Sequence, residues 1–167
     1  PPRVRRGSGP PGETCPGGVV LVISLRDATA ADLGPPPPPG DLAPHVLVVE
    51  DDPLVCDMLQ QTLAFGGYRT TGALDGREAL RCLDRADYDA VVTDIVMPHV
   101  DGVELIQHLR RCHPRIGVVA VSGDSDADSA VYLRIARHLG VGATVAKPFG
   151  ALELLSAVAQ ALAVRRA

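Results

Sequence analysis

Asp94 closes a short β-branched run, Val91-Val92-Thr93, and is followed by Pro98 and the turn pair Asp101-Gly102. Such a run reads as a strand buried on both faces, with an acidic group at its carboxyl end and a loop beyond. Other strand-like runs end in a similar way. Val46-Leu47-Val48-Val49 leads into Glu50-Asp51-Asp52, Val118-Val119-Ala120-Val121 into Ser122, and Thr144-Val145-Ala146 into Lys147. In a parallel sheet all strands have their carboxyl ends on one side, so these carboxylates, the hydroxyl and the ammonium converge on one rim. Clustered carboxylates repel one another unless a cation sits between them, and an all-oxygen donor set favours Mg2+ or Ca2+ over softer metals. Mg2+ is usually held by one or two carboxylates together with phosphate oxygens, so the expected chemistry is phosphoryl transfer. Asp94 would act as the nucleophile and form an acyl phosphate. Lys147 and the metal would compensate the charge on the transferring group, and the Ser122 hydroxyl would bond one of its oxygens. Singly, each residue has a plainer reading: Asp94 as a strand-end turn residue, Lys147 as a solvated lysine.

The elements that must position these groups follow in order from His45. After the first strand, Asp52 suits the N-cap and Pro53 the first position of a helix in which Val55, Met58, Leu59 and Leu63 recur at helical spacing until Gly66-Gly67. A weaker strand over 69–73 precedes Asp75-Gly76 and a helix through Ala79, Leu80 and Leu83. The strand ending at Asp94 is followed by a helix from about Val103 to Cys112, with Leu105, Ile106 and Leu109 inward and Pro114 beyond it. The next helix carries Tyr132, Ile135, Ala136 and Leu139 at i, i+3, i+4 and i+7, and Gly140 and Gly142 break it. The last runs from Ala151 to about Val164, with Leu154, Val158, Ala161 and Leu162 inward and Arg165-Arg166 at its favourable end. Five strands alternating with five helices predict an α/β fold, a doubly wound, five-stranded parallel sheet of flavodoxin-like (βα)5 type.

Four motifs in this order resemble the receiver domain of two-component response regulators: Val48-Val49-Glu50-Asp51-Asp52, the segment Asp94 to Gly102, Val121-Ser122-Gly123 and Lys147-Pro148-Phe149. The resemblance spans His45 to about Val164. It implies that Asp94 accepts a phosphoryl group from a phosphohistidine on a sensor histidine kinase or a histidine phosphotransfer protein. It implies that Glu50, Asp51 and Asp94, with the main-chain carbonyl of Val96, hold Mg2+, that Lys147 contacts the phosphoryl group, and that Ser122 moves toward it. The chain departs from the family at Thr144, three positions before the lysine, where members often carry an aromatic residue coupled to the hydroxyl. Asp124 and Val96 lie where members tune dephosphorylation, and their identities do not set a lifetime. The resemblance further implies a phosphoacceptor that assists its own phosphorylation and dephosphorylation without being an enzyme in the ordinary sense.

A net charge of -4 and a pI near 5.7 argue against nucleic acid as the main partner, since that binding needs clustered Lys and Arg. No apolar run reaches the length of a membrane span. Cys15, Cys56, Cys82 and Cys112 form no Cys-x-x-Cys pair, which suggests free thiols and a cytoplasmic location. Residues 1–44 are rich in Pro, Gly, Ser, Arg and Ala, with Pro35 to Pro39 consecutive, and are expected to form a disordered leader before a receiver over 45–167. Val19 to Leu25 only faintly resembles a signal peptide. Asp124, Asp126 and Asp128 mimic the start of a calcium loop, but Ser129 and Ile135 occupy its glycine and glutamate positions. His108 and His113 read as surface residues of one helix, and Lys147-Pro148 as a candidate cis bond. Only three residues follow Val164, so the expectation is a stand-alone receiver signalling to an unknown protein target. Two other readings remain: an interaction module that never uses its aspartate, and an aspartyl-nucleophile phosphohydrolase. The latter usually carries a second acid two residues after the nucleophile, where this chain has Val96.

Overall fold

The computed structural model describes residues 42–97, 102–123 and 129–166. The leader up to residue 41, Pro98, Asp101, Asp124, Asp126, Asp128 and the side chains of Tyr132, Arg165 and Arg166 lie outside the described residues. The elements alternate as expected: β1 (His45–Val49), α1 (Pro53–Phe65), β2 (Arg69–Ala73), α2 (Gly76–Arg85), β3 (Ala90–Asp94), α3 (Gly102–Cys112), β4 (Gly117–Ser122), α4 (Ser129–His138), β5 (Ala143–Ala146) and α5 (Ala151–Arg166).

All four strand pairings are parallel, in the order β2-β1-β3-β4-β5. The β-branched runs become the inner strands because both of their faces are covered. Val46 to Val49 are each fully buried, and β3 and β4 are buried along their whole length. The edge strand β2, with two threonines and a glycine, is only half-buried up to Ala73. One face packs Val46, Val48, Val92, Val119 and Val145 against α1 and α5. The other packs Leu47, Val49, Val91, Val118 and Ala120 against α2, α3 and α4. Alternate residues of each strand serve opposite layers, as strand periodicity requires.

The chain reverses its winding direction between β1 and β3. In an open α/β sheet the crevice beyond the strand ends at such a point is where ligands bind. Local signals place the flanking helices. Oδ1 of Asp52 accepts from the N–H groups of Leu54 (2.8 Å) and Val55 (3.3 Å), with Pro53 in the first helical turn. Oδ1 of Asp75 accepts from Glu78 N at 2.6 Å, while Oε2 of Glu78 takes the N–H of Leu74 at 2.8 Å.

Three side-chain expectations need correction. Met58 is 53% exposed and Val55 only half-buried, because the inward stripe of α1 runs through Cys56, Leu59 and Leu63. Ile135 is 39% exposed, since α4 turns Ala136 to the core instead. His113 lies just past the end of α3, not on it, with its ring 6.0 Å from that of His108. The other inward positions of α3, Leu105, Ile106 and Leu109, are fully buried, and Cys56, Cys82 and Cys112 are free thiols. Lys147-Pro148 is cis. Among the described residues, no helix is long and apolar enough to cross a membrane.

Candidate functional site

Glu50 follows β1 directly and is fixed there by its N–H donating to the carbonyl of Ala73, at 3.1 Å, on the edge strand. Asp94 ends β3 beside Val121 of β4, and Ser122 ends β4 beside Ala146 of β5. The N–H of Lys147 donates to the main-chain carbonyl of Ser122 at 2.7 Å, so the residues after β4 and β5 sit side by side. The topology therefore brings together the groups read from the sequence.

Glu50 and Asp94 are 2% and 7% exposed, too buried for two carboxylates to stand side by side without a counter-charge. Lys147 supplies one. Its Nζ lies 2.7 Å from Oε2 of Glu50 and 2.7 Å from Oδ2 of Asp94. The other oxygen of Asp94, Oδ1, accepts the N–H of Val96 at 3.0 Å, which fixes the plane of the carboxylate. Thr93 Oγ1 donates to the carbonyl of Asp94 at 2.8 Å and holds the main chain beneath it. Asp51 is exposed at the mouth, yet one oxygen each from Glu50, Asp51 and Asp94 lie within 4.8 Å of one another.

Burial pushes the Glu50 carboxyl above its ordinary range, and the hydrogen bond from Lys147 only partly offsets this. Burial works against the ammonium of Lys147 as well, but its bonds and charge attraction to Asp94 and Glu50 outweigh that, so its pKa is raised above 10.5. Both shifts mean that the folded chain holds protons more tightly than the unfolded one, so each contribution falls as pH rises. For Lys147 the stabilisation is complete below the unfolded value and is lost as pH climbs through the raised folded value. The stability gap between the wild type and Lys147→Met, measured by denaturant unfolding, is accordingly expected to be full at neutral pH and to shrink as pH rises past 10.5.

Three clustered carboxylate oxygens, one of them open to solvent, fit a hard divalent cation such as Mg2+. The Ser122 hydroxyl is fully buried and without a hydrogen-bond partner among the described residues, although buried hydroxyls are normally paired. It is an unused donor at the end of β4, the strand that pairs with β3. Sequence reasoning named Glu50, Asp51, Asp94, Ser122 and Lys147. It did not foresee the ion pair of Lys147 with Glu50, the N–H of Val96 on Asp94, or the support from Thr93. A threonine before a strand-end acid and an unremarkable valine carry no sequence signal for those contacts.

Comparison with known proteins agrees with this geometry. A family model described as the response regulator receiver domain matches residues 46–159. The transcriptional regulatory protein PrrA of Mycobacterium tuberculosis is 37% identical over 127 residues, covering 76% of this chain and 53% of that protein. The chain thus spans about half the length of that curated relative. The receiver domain of a signal transduction histidine kinase from Syntrophus aciditrophicus superposes with a TM-score of 0.65 at 30% identity, over 72% of this chain and 91% of that one. A receiver domain protein from Clostridium thermocellum, at 24% identity, shares the fold with a TM-score of 0.67 over 74% of this chain and 97% of its own. A doubly wound sheet with its acids and lysine at the winding reversal and a hydroxyl at the end of the next strand, matched by the family model over most of its described length, makes this chain a member of the response regulator receiver domain family.

Proposed function

We propose that the chain takes a phosphoryl group onto Asp94 from a phosphohistidine of a sensor histidine kinase or a histidine phosphotransfer protein, and signals the change by protein contact. Receiver domains of this family are the phosphoacceptors of two-component signalling, which supports the reading. The observation that carries it is the placement of one ammonium 2.7 Å from both Glu50 and Asp94, residues 97 and 53 positions away in the chain. Two buried carboxylates sharing one half-buried lysine beside a third acid are costly to build for stability alone.

In the proposed step a carboxylate oxygen of Asp94 attacks phosphorus, the bond from phosphorus to the imidazole nitrogen breaks, and the imidazole leaves with that electron pair. Lys147 and the Val96 N–H hold the carboxylate in one orientation, so little reorganisation is needed on attack. Ser122 brings a hydroxyl donor to an oxygen of the arriving group, and Lys147 stays beside the new negative charge. Glu50, Asp51, Asp94 and the main-chain carbonyl of Val96 are the residues that would hold Mg2+. When bound, it would offset the charge of the carboxylates and of the phosphoryl oxygens. The proposed setting is the cytoplasm, where kinase and phosphodonor pools lie. Full-length relatives include transcriptional regulators, and whether the output here is a relay of phosphate or a change in another protein's binding belongs to this proposal.

Incubation of the full chain with a small phosphodonor and Mg2+, followed by intact-mass measurement, is expected to show one added phosphoryl group that disappears in Asp94→Asn. No addition under any donor would favour the phosphorylation-independent interaction module. Rapid multiple turnover of the donor without a long-lived adduct would favour a hydrolase.

A further inference from the structure

Thr144 stands where the family often carries an aromatic residue, and here it has a partner of its own. Nε and Nη2 of Arg137, in the last turn of α4, donate to Oγ1 of Thr144 in β5 at 3.3 and 3.1 Å. We propose that this tie holds α4 against β5 while Asp94 is unmodified, and that its release carries modification of Asp94 to the surface formed by α4 and β5. The release half rests on the reading of Asp94 as the phosphoacceptor.

Strand register supplies the connection. Ala120 pairs with Thr144 and Ser122 with Ala146. Paired and alternate residues share a face, so Thr144, Ala120, Ser122 and Ala146 lie on the side of the sheet that Ala136 of α4 covers. Except for Ser122 and Thr144 themselves, these strand neighbours are alanines, so within the sheet only small side chains lie between the buried Ser122 hydroxyl and Thr144. On α4 Ala136 is fully buried whereas Val131 and Ile135 are 42% and 39% exposed, so the described side chains of α4 bring little apolar anchorage and a polar tie weighs more.

Among the described residues the Ser122 hydroxyl has no acceptor, and the Ser122 carbonyl is fastened to Lys147, whose ammonium sits on Asp94. An oxoanion on Asp94 offers that hydroxyl an acceptor. Displacement of Ser122 toward it opens space among the alanines on the α4 side. Thr144 can fill this space by turning about χ1, which exchanges its hydroxyl for a methyl group of nearly the same size. The two hydrogen bonds from Arg137 are then lost. This gives the two packings that a switch requires without any aromatic ring.

Thr144→Val keeps the shape of the side chain and removes the acceptor, and Arg137→Met removes the donors. Hydrogen exchange of α4 and β5 amides in the full chain, with and without beryllofluoride and Mg2+ as a stand-in for the phosphoryl group, tests both halves. Each variant is expected to raise α4 exchange about tenfold without beryllofluoride, and the double variant no further than either single one. Both are also expected to bind beryllofluoride about tenfold more tightly, because a tie that favours the unmodified state opposes modification by its own free energy. Wild type with beryllofluoride should exchange at α4 like the unliganded variants. Variants that exchange like wild type would overturn the holding role. Unchanged α4 exchange in a wild type whose Asp94 is shown by mass to take up the phosphoryl group would overturn the release, and leave the phosphoacceptor reading intact. A wild type that takes up neither group overturns that reading and the release with it, while exchange of the unmodified variants still decides the holding role.

Discussion

Lys147→Met is expected to slow phosphoryl uptake from a small phosphodonor by about 10²–10³-fold, as removal of a preorganised charge from a developing oxyanion generally does. The same substitution leaves Glu50 and Asp94 facing each other in a buried rim with no ammonium between them. Breaking a buried pair by removing one partner costs on the order of 3–5 kcal/mol, less whatever is recovered by protonating one carboxylate. Methionine keeps the length of the stem, so packing against the end of β5 changes little. The variant should therefore be destabilised at neutral pH and stabilised more by Mg2+ than the wild type is, because a cation that binds only the folded state takes over the missing charge. Denaturant midpoints with and without Mg2+, alongside single-turnover uptake measured by intact mass, separate the two effects. A variant as stable as the wild type, gaining nothing extra from Mg2+, would mean that the ammonium is not what neutralises these carboxylates.

The second large effect is at Gly102, the first residue of α3. A methyl group built there would overlap the carbonyl oxygen of Asp94 and come within 2.7 Å of the Cα of Ile95. Both are backbone atoms of the segment that carries the site, and Gly102 N donates to the carbonyl of Ile95 at 3.0 Å, so neither side can yield independently. Overpacking of this kind costs about 1–3 kcal/mol and more where only backbone can move, so Gly102→Ala is expected to lose about 3 kcal/mol in denaturant unfolding. Its relief requires the Asp94–Ile95 main chain to shift, which carries the carboxylate away from Lys147 and from the Val96 N–H. Phosphoryl uptake should fall even in conditions where the variant remains folded. The glycine is thus needed for close approach between the start of α3 and the end of β3, not for an unusual backbone angle. Full stability in the alanine variant would contradict that packing.

The sheet was legible in the sequence because its inner strands are short runs of Val, Leu and Ala with punctuating acids, and few other structures accept them. The convergence of Glu50, Asp51, Asp94, Ser122 and Lys147 was legible for a topological reason: once the strands are parallel, residues that follow them must share a rim. Side-chain direction was less accessible. In α1 two apolar stripes interleave, Cys56-Leu59-Leu63 and Leu54-Met58-Phe65, and composition alone does not say which faces the core. The first faces the core, and Leu54, Met58 and Phe65 remain exposed. In α4 the small Ala136 is buried in preference to Ile135, and it packs in the layer that holds Val118 and Ala120 of β4. The bond between Arg137 and Thr144 joins a helix end to a strand across a turn, where no short sequence pattern marks it. The departure at Thr144 was visible in the sequence, but the residue that answers it was not.

The central claim, that these strand ends form a site which places a phosphoryl group on Asp94, is tested most directly by locating the modified atom. After incubation with a small phosphodonor and Mg2+, reduction with borohydride converts an aspartyl phosphate to homoserine, and peptide sequencing by mass spectrometry reads its position. Homoserine at position 94, absent without Mg2+ and absent when Glu50 and Asp51 are replaced by Gln and Asn, is the expected result. Homoserine at another acidic residue, or at position 94 to the same extent without the metal and the two supporting acids, would contradict it.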